Sequence, residues 1–319
     1  MINKVIIIGG TGQLGIYLAK LLLKKKYQVI LTSRDPKNFN KSFQKKKILK
    51  FKHKIIKLDI FNKKQILQKL NKIKPQFIFY FAGQSSVSAS FNKQNETINS
   101  NFYGCKNILD QIVKLNFKVK FFNASSIEIF GNKNVKINLK TKKNPVSPYG
   151  VAKLKSFKLV REYRKKYNLK LYNGLLSNCE SYLRPKSFVL PKICLAVLNA
   201  KKNKKEKIKT KFNFGNINIS RDWGWAEEYV KYIWKKMNYG KDFDFIIATG
   251  VTFKLKDLIK MAFKRFNLNW RHYINIDKKF FRRKEIMNVR ISKINTEKII
   301  KTNGKDIIIK LLKYYKNKI

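Results

Sequence analysis

The residues with the most direct chemical potential are a tyrosine and a lysine four positions apart, Tyr149 and Lys153. Residues at this spacing share one face of a helix, and the pattern of residues 148–167 predicts a helix. An ammonium beside a phenol lowers the pKa of the phenol, so the tyrosinate could take a hydroxyl proton at neutral pH. In a chain so rich in lysine, this spacing also arises by chance.

A serine and a glutamate, Ser126 and Glu128, follow a strand predicted at residues 119–123. In a parallel sheet, the carboxyl ends of the strands point into the ligand crevice. A carboxylate there could remove a carbon-bound proton next to a ketone, a step that a dehydration needs and a simple oxidation does not. The alternative is a surface glutamate, which is less favoured because the chain has only 18 acidic residues.

A glycine-rich stretch, GGTGQLG at residues 9–15, lies between a strand predicted at Lys4–Ile8 and a helix predicted at Gln13–Lys24. Glycines at 9, 12 and 15 allow a tight turn, close approach of backbone N–H groups to a pyrophosphate, and packing of helix on strand. The stretch therefore predicts a dinucleotide site. A plain strand-to-helix turn is the alternative.

The residues after the second and third predicted strands bear on which dinucleotide binds. Arg34 would suit the 2′-phosphate of NADP, whereas Asp35, one residue later, could bond the ribose hydroxyl of NAD. NADP is favoured and NAD is the alternative. Asp59 is placed to bond the adenine amino group, or else it is a turn or helix-cap residue.

Short strands and helices alternate along the first 176 residues, which predicts an α/β, Rossmann-like doubly wound parallel sheet. Besides the elements above, strands are predicted at residues 29–32, 55–58, 77–81 and 169–176, and helices at residues 65–73 and 97–115. The alternation loosens afterwards. We expect an NADP-binding domain at residues 1–176 and a smaller mixed α/β substrate domain at residues 177–319, with one chain crossover back to the first domain allowed.

The secondary structure of two further segments, both in the second half of the chain, can also be predicted. Residues 201–211 are so rich in lysine that we expect a loop, and the apolar stretch at 307–312 predicts a helix that packs on this domain.

The charge of the chain is extreme, with 73 basic and 18 acidic residues and a formal net charge of +55. Only ten of the basic residues are arginine, on which nucleic-acid interfaces rely for bidentate contacts, and the lysines are spread along the whole chain. A coding bias toward lysine explains this better than a specific nucleic-acid partner. Salt-sensitive, non-specific binding to polyanions is the alternative.

Composition also limits the class of protein. No apolar run approaches the ~18 residues of a membrane span, and the N-terminus lacks the pattern of a signal peptide. Three cysteines make no disulfide framework and no zinc motif. We expect a cytoplasmic protein with no metal site and no membrane partner.

A glycine loop followed by Ser126, Tyr149 and Lys153 is the signature of the short-chain dehydrogenase/reductase superfamily. From residue 4 to about residue 300 the chain resembles one of its families, the GDP-mannose 4,6-dehydratases. The most specific likenesses are those of SSIEIFG at 125–131 to STSELYG, and of Gly215 and Asn216 followed by SRDWG at 220–224 to GNLxAKRDWG. The others are GGTGQLG at 9–15 to GxTGQDG, FAGQSSV at 81–87 to LGAQSHV, SPYGVAK at 147–153 to SPYAVAK, NGLLSNCES at 173–181 to NGILFNHES, ATG at 248–250 to ATG, and FRRKE at 281–285 to FRPxE.

The resemblance implies a dehydration with internal hydride transfer. Tyr149 would take the proton of the sugar 4-hydroxyl while hydride passes from C4 to NADP. Glu128 would then remove the acidified C5 proton, the 6-hydroxyl would leave as water with the help of Ser126, and the hydride would return to C6. Lys153 would orient the cofactor ribose and tune Tyr149. The implied product is GDP-4-keto-6-deoxy-mannose.

The resemblance also implies binding residues. Those for the cofactor are Gly9, Thr11, Gly12, Gln13, Leu14, Gly15, Arg34, Asp59, Ile60, Phe81, Ala82, Gly83, Tyr149, Lys153, Cys179 and Arg184. Those for GDP-mannose or a related nucleotide-sugar are Ser85, Ser126, Glu128, Asn178, Lys192, Gly215, Arg221, Arg282 and Glu285. Basic side chains suit the diphosphate, and carboxylates suit donors on the base or sugar.

Several positions depart from the family pattern. Leu14 replaces an acid, Cys179 and Trp225 replace histidines, and Pro191 replaces an arginine. Only Arg34 remains of an arginine pair in a region that helps to form the tetramer, so we expect a homodimer, with a tetramer as the alternative. These departures leave open a related nucleotide-sugar epimerase, reductase or dehydratase that acts on another hexose.

Overall fold

The computed structural model describes residues 3–40, 47–49, 53–132, 135–208, 210–292 and 299–318. The chain divides into two compact units. The first consists of Met1–Gly131, Leu139–Leu176 and Val230–Ile247, and the second of Asn132–Asn138, Ser177–Tyr229 and Ala248–Ile319. The division into an NADP-binding domain at 1–176 and a substrate domain at 177–319 stays a prediction.

A seven-stranded sheet forms the centre of the first unit, and all of its neighbouring strands are parallel. Its strands are β1 (Lys4–Ile8), β2 (Gln28–Ser33), β3 (Lys54–Lys57), β4 (Phe77–Tyr80), β5 (Lys120–Ser126), β6 (Lys170–Leu176) and β10 (Asp244–Ile247). The strand order is β10-β6-β5-β4-β1-β2-β3. The order reverses between β1 and β4, and in such sheets ligands bind at this switch point. The predicted α/β Rossmann-like class is confirmed.

Helices connect these strands, because parallel neighbours need crossover connections. They are α1 (Gln13–Lys24), α2 (Lys37–Asn40), α3 (Lys63–Ile73), α4 (Val87–Ser90), α5 (Gln94–Ile98), α6 (Gly104–Leu115) and α7 (Pro148–Tyr167), with α9 (Ala226–Tyr239) before β10. These helices pack on the sheet through an apolar face, as α6 illustrates. Its buried face is formed by Cys105, Ile108, Leu109 and Ile112. They pack in one core with Ile6, Ile78, Phe121 and Leu171 of the sheet.

Two predicted elements of this unit begin or end three residues away from their predicted bounds, and the others agree within two residues. The helix predicted at 97–115 begins at Gln94 and contains a π-helical segment at Asn99–Tyr103. The strand predicted at 119–123 continues to Ser126, because Ser125 and Ser126 pair with Leu175 and Leu176 of β6. Ser126 is therefore the last residue of β5, and a 3₁₀ helix at Ile127–Phe130 carries Glu128.

The second unit combines two small sheets with three helices. The strands are β7 (Asn178–Glu180), β8 (Phe212–Phe214), β9 (Ser220–Trp225), β11 (Thr252–Lys254) and β12 (Ile274–Ile276), in the orders β11-β9-β7 and β12-β8. The helices are α8 (Val189–Lys205), α10 (Leu255–Lys264) and α11 (Gly304–Lys316), with 3₁₀ helices at Trp270–His272 and Lys278–Phe280. Their apolar faces share one core.

The loop predicted at residues 201–211 is wrong for its first five residues, whereas the helix predicted at 307–312 is confirmed. Lys201 to Lys205 were expected in a loop but form the last turns of α8, because the buried apolar face of this helix continues through Val197 and Ala200. Residues 307–312 lie in α11, whose Ile307, Ile308 and Leu311 are buried in the core of the unit.

Two properties of the described ranges bear on the kind of site to expect. None of their helices has both the length and the apolar character needed to cross a bilayer. No three histidine, cysteine, aspartate or glutamate side chains of these residues are grouped so that they could hold a metal ion. All three cysteines are buried thiols.

Candidate active site

The glycine loop is shaped by close backbone approaches. Gly9 has a φ of +77°, and a Cβ atom there would lie 2.6 Å from the nitrogen of Ala82. A Cβ on Gly15 would lie 2.5 Å from the carbonyl oxygen of Gly10. These two positions therefore need glycine for packing. A Cβ on Gly12 would lie 3.2 Å from the carbonyl oxygen of Gly9, which is a tight contact but a less severe one than those at Gly9 and Gly15.

A cavity of about 390 Å³ opens beside this loop in the first unit. Of the predicted cofactor residues, its walls include Gly9, Thr11, Arg34, Ile60, Ala82 and Gly83. Gly12, Gln13, Leu14, Gly15, Asp59 and Phe81 are not among its lining residues. The walls also contain Phe39, Phe61, Gln84, Glu96 and Ser100, which the sequence analysis did not single out. The volume lies in the range of sites for small molecules and cofactors, ~300–1,000 Å³.

Arg34 and Asp35 both line the cavity, but the carboxylate of Asp35 is already hydrogen-bonded to the backbone. One carboxylate oxygen of Asp35 accepts a hydrogen bond from the backbone N–H of Lys37 at 3.0 Å, at the start of α2. The guanidinium of Arg34 is exposed. The arrangement leaves a cation at the end of β2, where a ribose substituent of a dinucleotide lies in folds of this kind.

Asp59 adopts the turn role that was the alternative for it. Its Oδ1 accepts a hydrogen bond from the backbone N–H of Phe61 at 3.0 Å, and its own N–H donates to the side-chain oxygen of Gln65 at 2.7 Å. The role of Asp59 toward adenine stays a prediction. Phe61 is 44% exposed and lines the cavity. Its position two residues after Asp59 is the sequence signal that could have identified it as a residue of the cavity wall.

Ser126 and Glu128 lie together where β5 ends. The Oγ of Ser126 accepts a hydrogen bond from the backbone N–H of Glu128 at 3.2 Å and thereby caps the 3₁₀ helix. The Glu128 residue is 8% exposed, and its Oε2 has no hydrogen-bond partner among the described residues. Leaving a buried polar oxygen unpaired is costly, and such exceptions often mark functional groups.

Tyr149 and Lys153 lie on the first turns of α7. The Oγ of Ser147 accepts a hydrogen bond from the N–H of Gly150 at 3.1 Å, and Pro148 occupies the first turn, so the local sequence starts the helix here. The Nζ of Lys153 lies 5.6 Å from the centroid of the Tyr149 ring. Burial lowers the pKa of Lys153 to about 8, and the nearby thiol of Cys105 opposes this shift.

The first turn of α7 packs directly on the segment that carries Glu128. A Cβ on Gly150 would lie 2.8 Å from the backbone oxygen of Glu128. The Nζ of Lys153 donates to the carbonyl oxygen of Ala124 in β5 at 2.8 Å. These contacts bring the four predicted catalytic residues into one region of the first unit. The arrangement offers a phenol, a cation and an unpaired carboxylate oxygen, which is suitable for proton transfer.

In the second unit, three predicted substrate residues form one ionic cluster. The Oε1 of Glu285 lies 3.4 Å from the Nη2 of Arg221 and 3.3 Å from the Nη1 of Arg282. Arg221 is 2% exposed and also donates to the carbonyl oxygen of Ser220 at 2.9 Å. Two arginines that share one carboxylate leave a net positive charge, which suits a phosphorylated ligand.

Lys192 and Gly215 lie beside the segment that leads into this cluster. The Nζ of Lys192 is 4.8 Å from the ring centroid of Phe214 and 5.0 Å from that of Phe280. Burial lowers the pKa of Lys192 below its usual value. A Cβ on Gly215 would lie 2.6 Å from the carbonyl oxygen of Phe280, so this glycine permits the close approach.

The remaining predicted residues have separate surroundings. The backbone oxygen of Asn178 accepts a hydrogen bond from the hydroxyl of Tyr229 at 3.3 Å. Arg184 lies with its guanidinium 3.6 Å from the ring centroid of Phe188 and its Nε 3.6 Å from the Oε1 of Glu180. Cys179 of β7 is buried, and Ser85 of the first unit is exposed.

Glu180 was not singled out from the sequence. Burial raises the pKa of its carboxyl group to about 7, and the nearby guanidinium of Arg184 opposes this shift. Its sequence neighbours gave no signal of this, because the contact with Arg184 depends on the turn that follows β7.

Known proteins share the sequence pattern and the architecture. Residues 6–302 match the family model described as GDP-mannose 4,6 dehydratase. GDP-mannose 4,6 dehydratase 1 of Arabidopsis thaliana is 31% identical over 296 residues, which cover 89% of this chain and 81% of that protein. GDP-mannose 4,6 dehydratase of Drosophila melanogaster is 34% identical over 281 residues, which cover 84% of this chain and 70% of the relative.

A solved structure extends the likeness to the fold. The structure of dTDP-glucose 4,6-dehydratase from Bacillus anthracis in complex with NAD superposes with a TM-score of 0.78 at 17% identity, and covers 99% of this chain and 97% of that one. At this identity the likeness concerns the fold alone. The extent of the family match and the identity to the relatives decide the assignment. The chain belongs to the GDP-mannose 4,6-dehydratase family, an enzyme family of the NAD(P)-dependent short-chain dehydrogenase/reductase superfamily.

Proposed function

We propose that the protein is a GDP-mannose 4,6-dehydratase, which converts GDP-D-mannose to GDP-4-keto-6-deoxy-D-mannose with loss of water. The observation that carries the proposal is the buried, unpartnered carboxylate oxygen of Glu128, on a segment packed against the turn that holds Tyr149. A reductase or an epimerase needs no such carboxylate. Membership in the family supports the same activity.

The chemistry at C4 falls to Tyr149 and Lys153. The phenolate of Tyr149 takes the proton of the sugar 4-hydroxyl as C4 is oxidised to a ketone. The ammonium of Lys153, 5.6 Å from the phenol ring, stabilises that phenolate. Since burial lowers the pKa of the lysine to about 8, its charge is present at neutral pH.

The elimination falls to Glu128 and Ser126. The 4-ketone acidifies the proton on C5, and the free Oε2 of Glu128 takes it. The 6-hydroxyl then leaves as water, and a proton from the Glu128 carboxyl or the Ser126 hydroxyl assists its departure. Once hydride is returned to C6, C5 takes up a proton from water through the Glu128 carboxyl, which completes the 4-keto-6-deoxy product. Ser126 also holds the glutamate segment in place through its hydrogen bond to the Glu128 N–H.

The residues of the first unit fit a dinucleotide. Because Gly12 has no side chain, a pyrophosphate can approach the backbone N–H groups at the start of α1, and the cavity beside the loop has room for the adenosine half. The chemistry that a bound NADP would supply is reversible hydride transfer, from C4 of the sugar and back to C6. Arg34 favours NADP over NAD because its guanidinium can pair with a 2′-phosphate. NAD is the alternative, and it is bound in the related structure from B. anthracis.

The nucleotide-sugar is assigned to residues of the second unit. Arg221, Arg282 and Lys192 neutralise the diphosphate, while Glu285 fixes the two arginines. The other proposed substrate ligands are Asn178, Gly215 and Ser85, and Arg184 and Cys179 are proposed to contact the cofactor. A cytoplasmic homodimer, with a tetramer as the alternative, completes the proposal.

A second candidate is a related enzyme that acts on another nucleotide-hexose. The observation that favours it is the change of two family histidines to residues of different chemistry, Cys179 and Trp225, which are 9% and 4% exposed. Such changes close to a ligand alter which groups it can bond.

One experiment separates these candidates. The purified protein is incubated with NADP and a panel of nucleotide-hexoses, and the products are analysed by mass spectrometry. Loss of one water from GDP-mannose, without consumption of added NADPH, supports the proposal. Water loss from a different nucleotide-hexose supports the second candidate. A product that needs stoichiometric NADPH identifies a reductase, which contradicts the dehydratase proposal and supports the second candidate.

A further inference from the structure

A second cavity, of about 460 Å³, lies in the second unit and shares no residue with the proposed active site. Helix α10 forms one wall and residues 268–271 the other. Its charged lining residues are Lys254, Lys256, Lys260, Lys264, Arg271 and Asp257. Five cations and one carboxylate therefore surround a single hollow.

The helical wall presents its lysines in register. Lys256, Lys260 and Lys264 are spaced by four residues, so they lie in a row along one face of α10. The facing wall is fixed by Asn269, whose side chain accepts a hydrogen bond from the N–H of Arg271 at 3.2 Å and starts a 3₁₀ helix. This turn holds Trp270 and Arg271 opposite the lysine row.

Trp270 gives the cavity an aromatic surface. It is partly exposed, whereas Trp223, Trp225 and Trp234 are 1%, 4% and 6% exposed. The Nζ of Lys256 lies 5.9 Å from its ring and the guanidinium carbon of Arg271 lies 5.7 Å from it. Cation–π attraction holds both cations beside the indole.

The five positive charges of this cavity face one negative charge, that of Asp257. Among the described residues, none of its five cations takes part in an ion pair. A general excess of lysine accounts for cations on convex surfaces, where they point away from one another. It does not account for five cations that line one hollow, two of them beside an indole, because mutual repulsion is greater there. A bound anion would relieve this repulsion, and a concave surface focuses the field that attracts it.

We propose that this cavity binds a nucleoside polyphosphate. The phosphates pair with the lysine row and with Arg271, and the nucleoside packs on Trp270 and on Leu268, which also lines the cavity. Phosphates beside an aromatic surface are the chemistry by which proteins bind nucleotides. The site is independent of the proposed dehydratase reaction, because none of its residues is assigned to the cofactor or the substrate.

The intrinsic fluorescence of the full-length protein reports on this site, since Trp270 is the tryptophan that solvent reaches among the four. ATP without added metal is the probe, at moderate ionic strength. We expect saturable quenching that disappears in Trp270→Phe. Calorimetric titration with ATP provides a second measure in variants that lack the indole.

A matched pair of variants separates a site from general charge. Lys260→Gln/Lys264→Gln removes two cations of the cavity, and Lys313→Gln/Lys316→Gln removes two exposed cations of α11. Because each lysine of the first pair is assigned a charge-assisted contact to a phosphate, loss of both should weaken ATP binding about tenfold or more. The second pair should change it less than about twofold.

Two outcomes would overturn the proposal. Equal weakening by both pairs would mean that ATP binds the lysine-rich surface without a site. The second outcome combines two results: tripolyphosphate binds as tightly as ATP, and Trp270→Leu binds ATP as tightly as the wild type. Together they would show that the cavity does not recognise the nucleoside. Thermal unfolding of each variant confirms that it is folded. Dehydratase activity of Lys260→Gln/Lys264→Gln stays at the wild-type rate if the proposed function holds, and binding is scored separately from it.

Discussion

The ammonium nitrogen of Lys153 lies 5.6 Å from the centroid of the Tyr149 ring and is held there by a hydrogen bond to the carbonyl oxygen of Ala124. Burial lowers the pKa of this lysine to about 8. The lysine is thus charged at neutral pH but loses its charge at mildly alkaline pH. A phenol whose ionisation depends on that charge loses its support over the same range.

The turnover rate should therefore fall as the pH rises through about 8, as Lys153 gives up its proton. Lys153→Met should lower kcat about 100-fold or more, in the range of ~10²–10⁴ for a general acid–base contribution. Tyr149→Phe should lower it to a similar extent. The check is a pH profile of kcat for the wild type. A flat profile from pH 7 to about 9.5, or a Lys153→Met variant of normal rate, would contradict this role.

The glycine loop gives a pair of substitutions with opposite expectations. Gly12→Ala should cost less stability than Gly9→Ala, because its Cβ meets only the carbonyl oxygen of Gly9, at 3.2 Å. It should weaken NADP binding, because the added methyl group enters the space assigned to the pyrophosphate. Gly9→Ala should destabilise the fold itself, since its φ is +77° and the methyl group would collide with the backbone of Ala82. Thermal unfolding and calorimetric binding of NADP distinguish the two. Normal NADP affinity in a folded Gly12→Ala variant would place the cofactor elsewhere.

Arg34 is expected to set the preference between cofactors. Arg34→Ala should weaken NADP binding about 10- to 100-fold, because a charge-assisted contact contributes ~1.5–3 kcal/mol, and should leave NAD binding almost unchanged. Lys37→Ala, which removes another exposed cation three residues later, is the control. Both dissociation constants are measured for each variant. Equal losses for NADP and NAD in Arg34→Ala would show that the guanidinium does not contact a 2′-phosphate.

Glu180 links stability to pH. Its pKa rises from about 4.5 to about 7 on folding, because burial disfavours the carboxylate. The folded state then holds a proton that the unfolded state releases, so this contribution to stability is complete below pH 4.5 and is lost as the pH rises through 7. Glu180→Gln should therefore gain about 2–3 kcal/mol in free energy of unfolding relative to the wild type across this window.

Urea unfolding at a pH on each side of that window measures the difference. Glu206→Gln, which changes an exposed glutamate, is the reference for loss of one carboxylate. A difference between Glu180→Gln and the wild type that is the same at both pH values would show that folding does not shift the pKa of Glu180.

Local signals explain which parts of the fold could be predicted. Three elements have the bounds that their own residues predict: strand β1, helix α1 and helix α7. Glycines end β1 and precede α1, and the Ser147 cap and Pro148 mark the start of α7. Strand β5 was predicted too short. Ser125 and Ser126 have weak strand propensity, and they are extended because β6, some fifty residues later, supplies their hydrogen-bond partners.

In the candidate sites, too, local sequence predicts the residue types but not the contacts between distant residues. The catalytic types were visible in the spacings of Ser126, Glu128, Tyr149 and Lys153, but the unpartnered oxygen of Glu128 depends on how α7 packs against β5. The pairing of Arg221 with Glu285 joins residues 64 positions apart, which no local pattern reveals. Lys201 to Lys205 look like a loop by composition, yet tertiary burial of the opposite face keeps them helical.

The proposed role of Glu128 is tested most directly by following C5 of the sugar. GDP-mannose and NADP are incubated in deuterated water with the wild type, with Glu128→Gln and with Glu162→Gln, a control at an exposed glutamate of α7. The wild type and the control should release water and place deuterium on C5, whereas Glu128→Gln should stop at a bound 4-keto hexose that retains its C5 hydrogen and its 6-hydroxyl. Water loss and C5 exchange at the wild-type rate in Glu128→Gln would contradict the account.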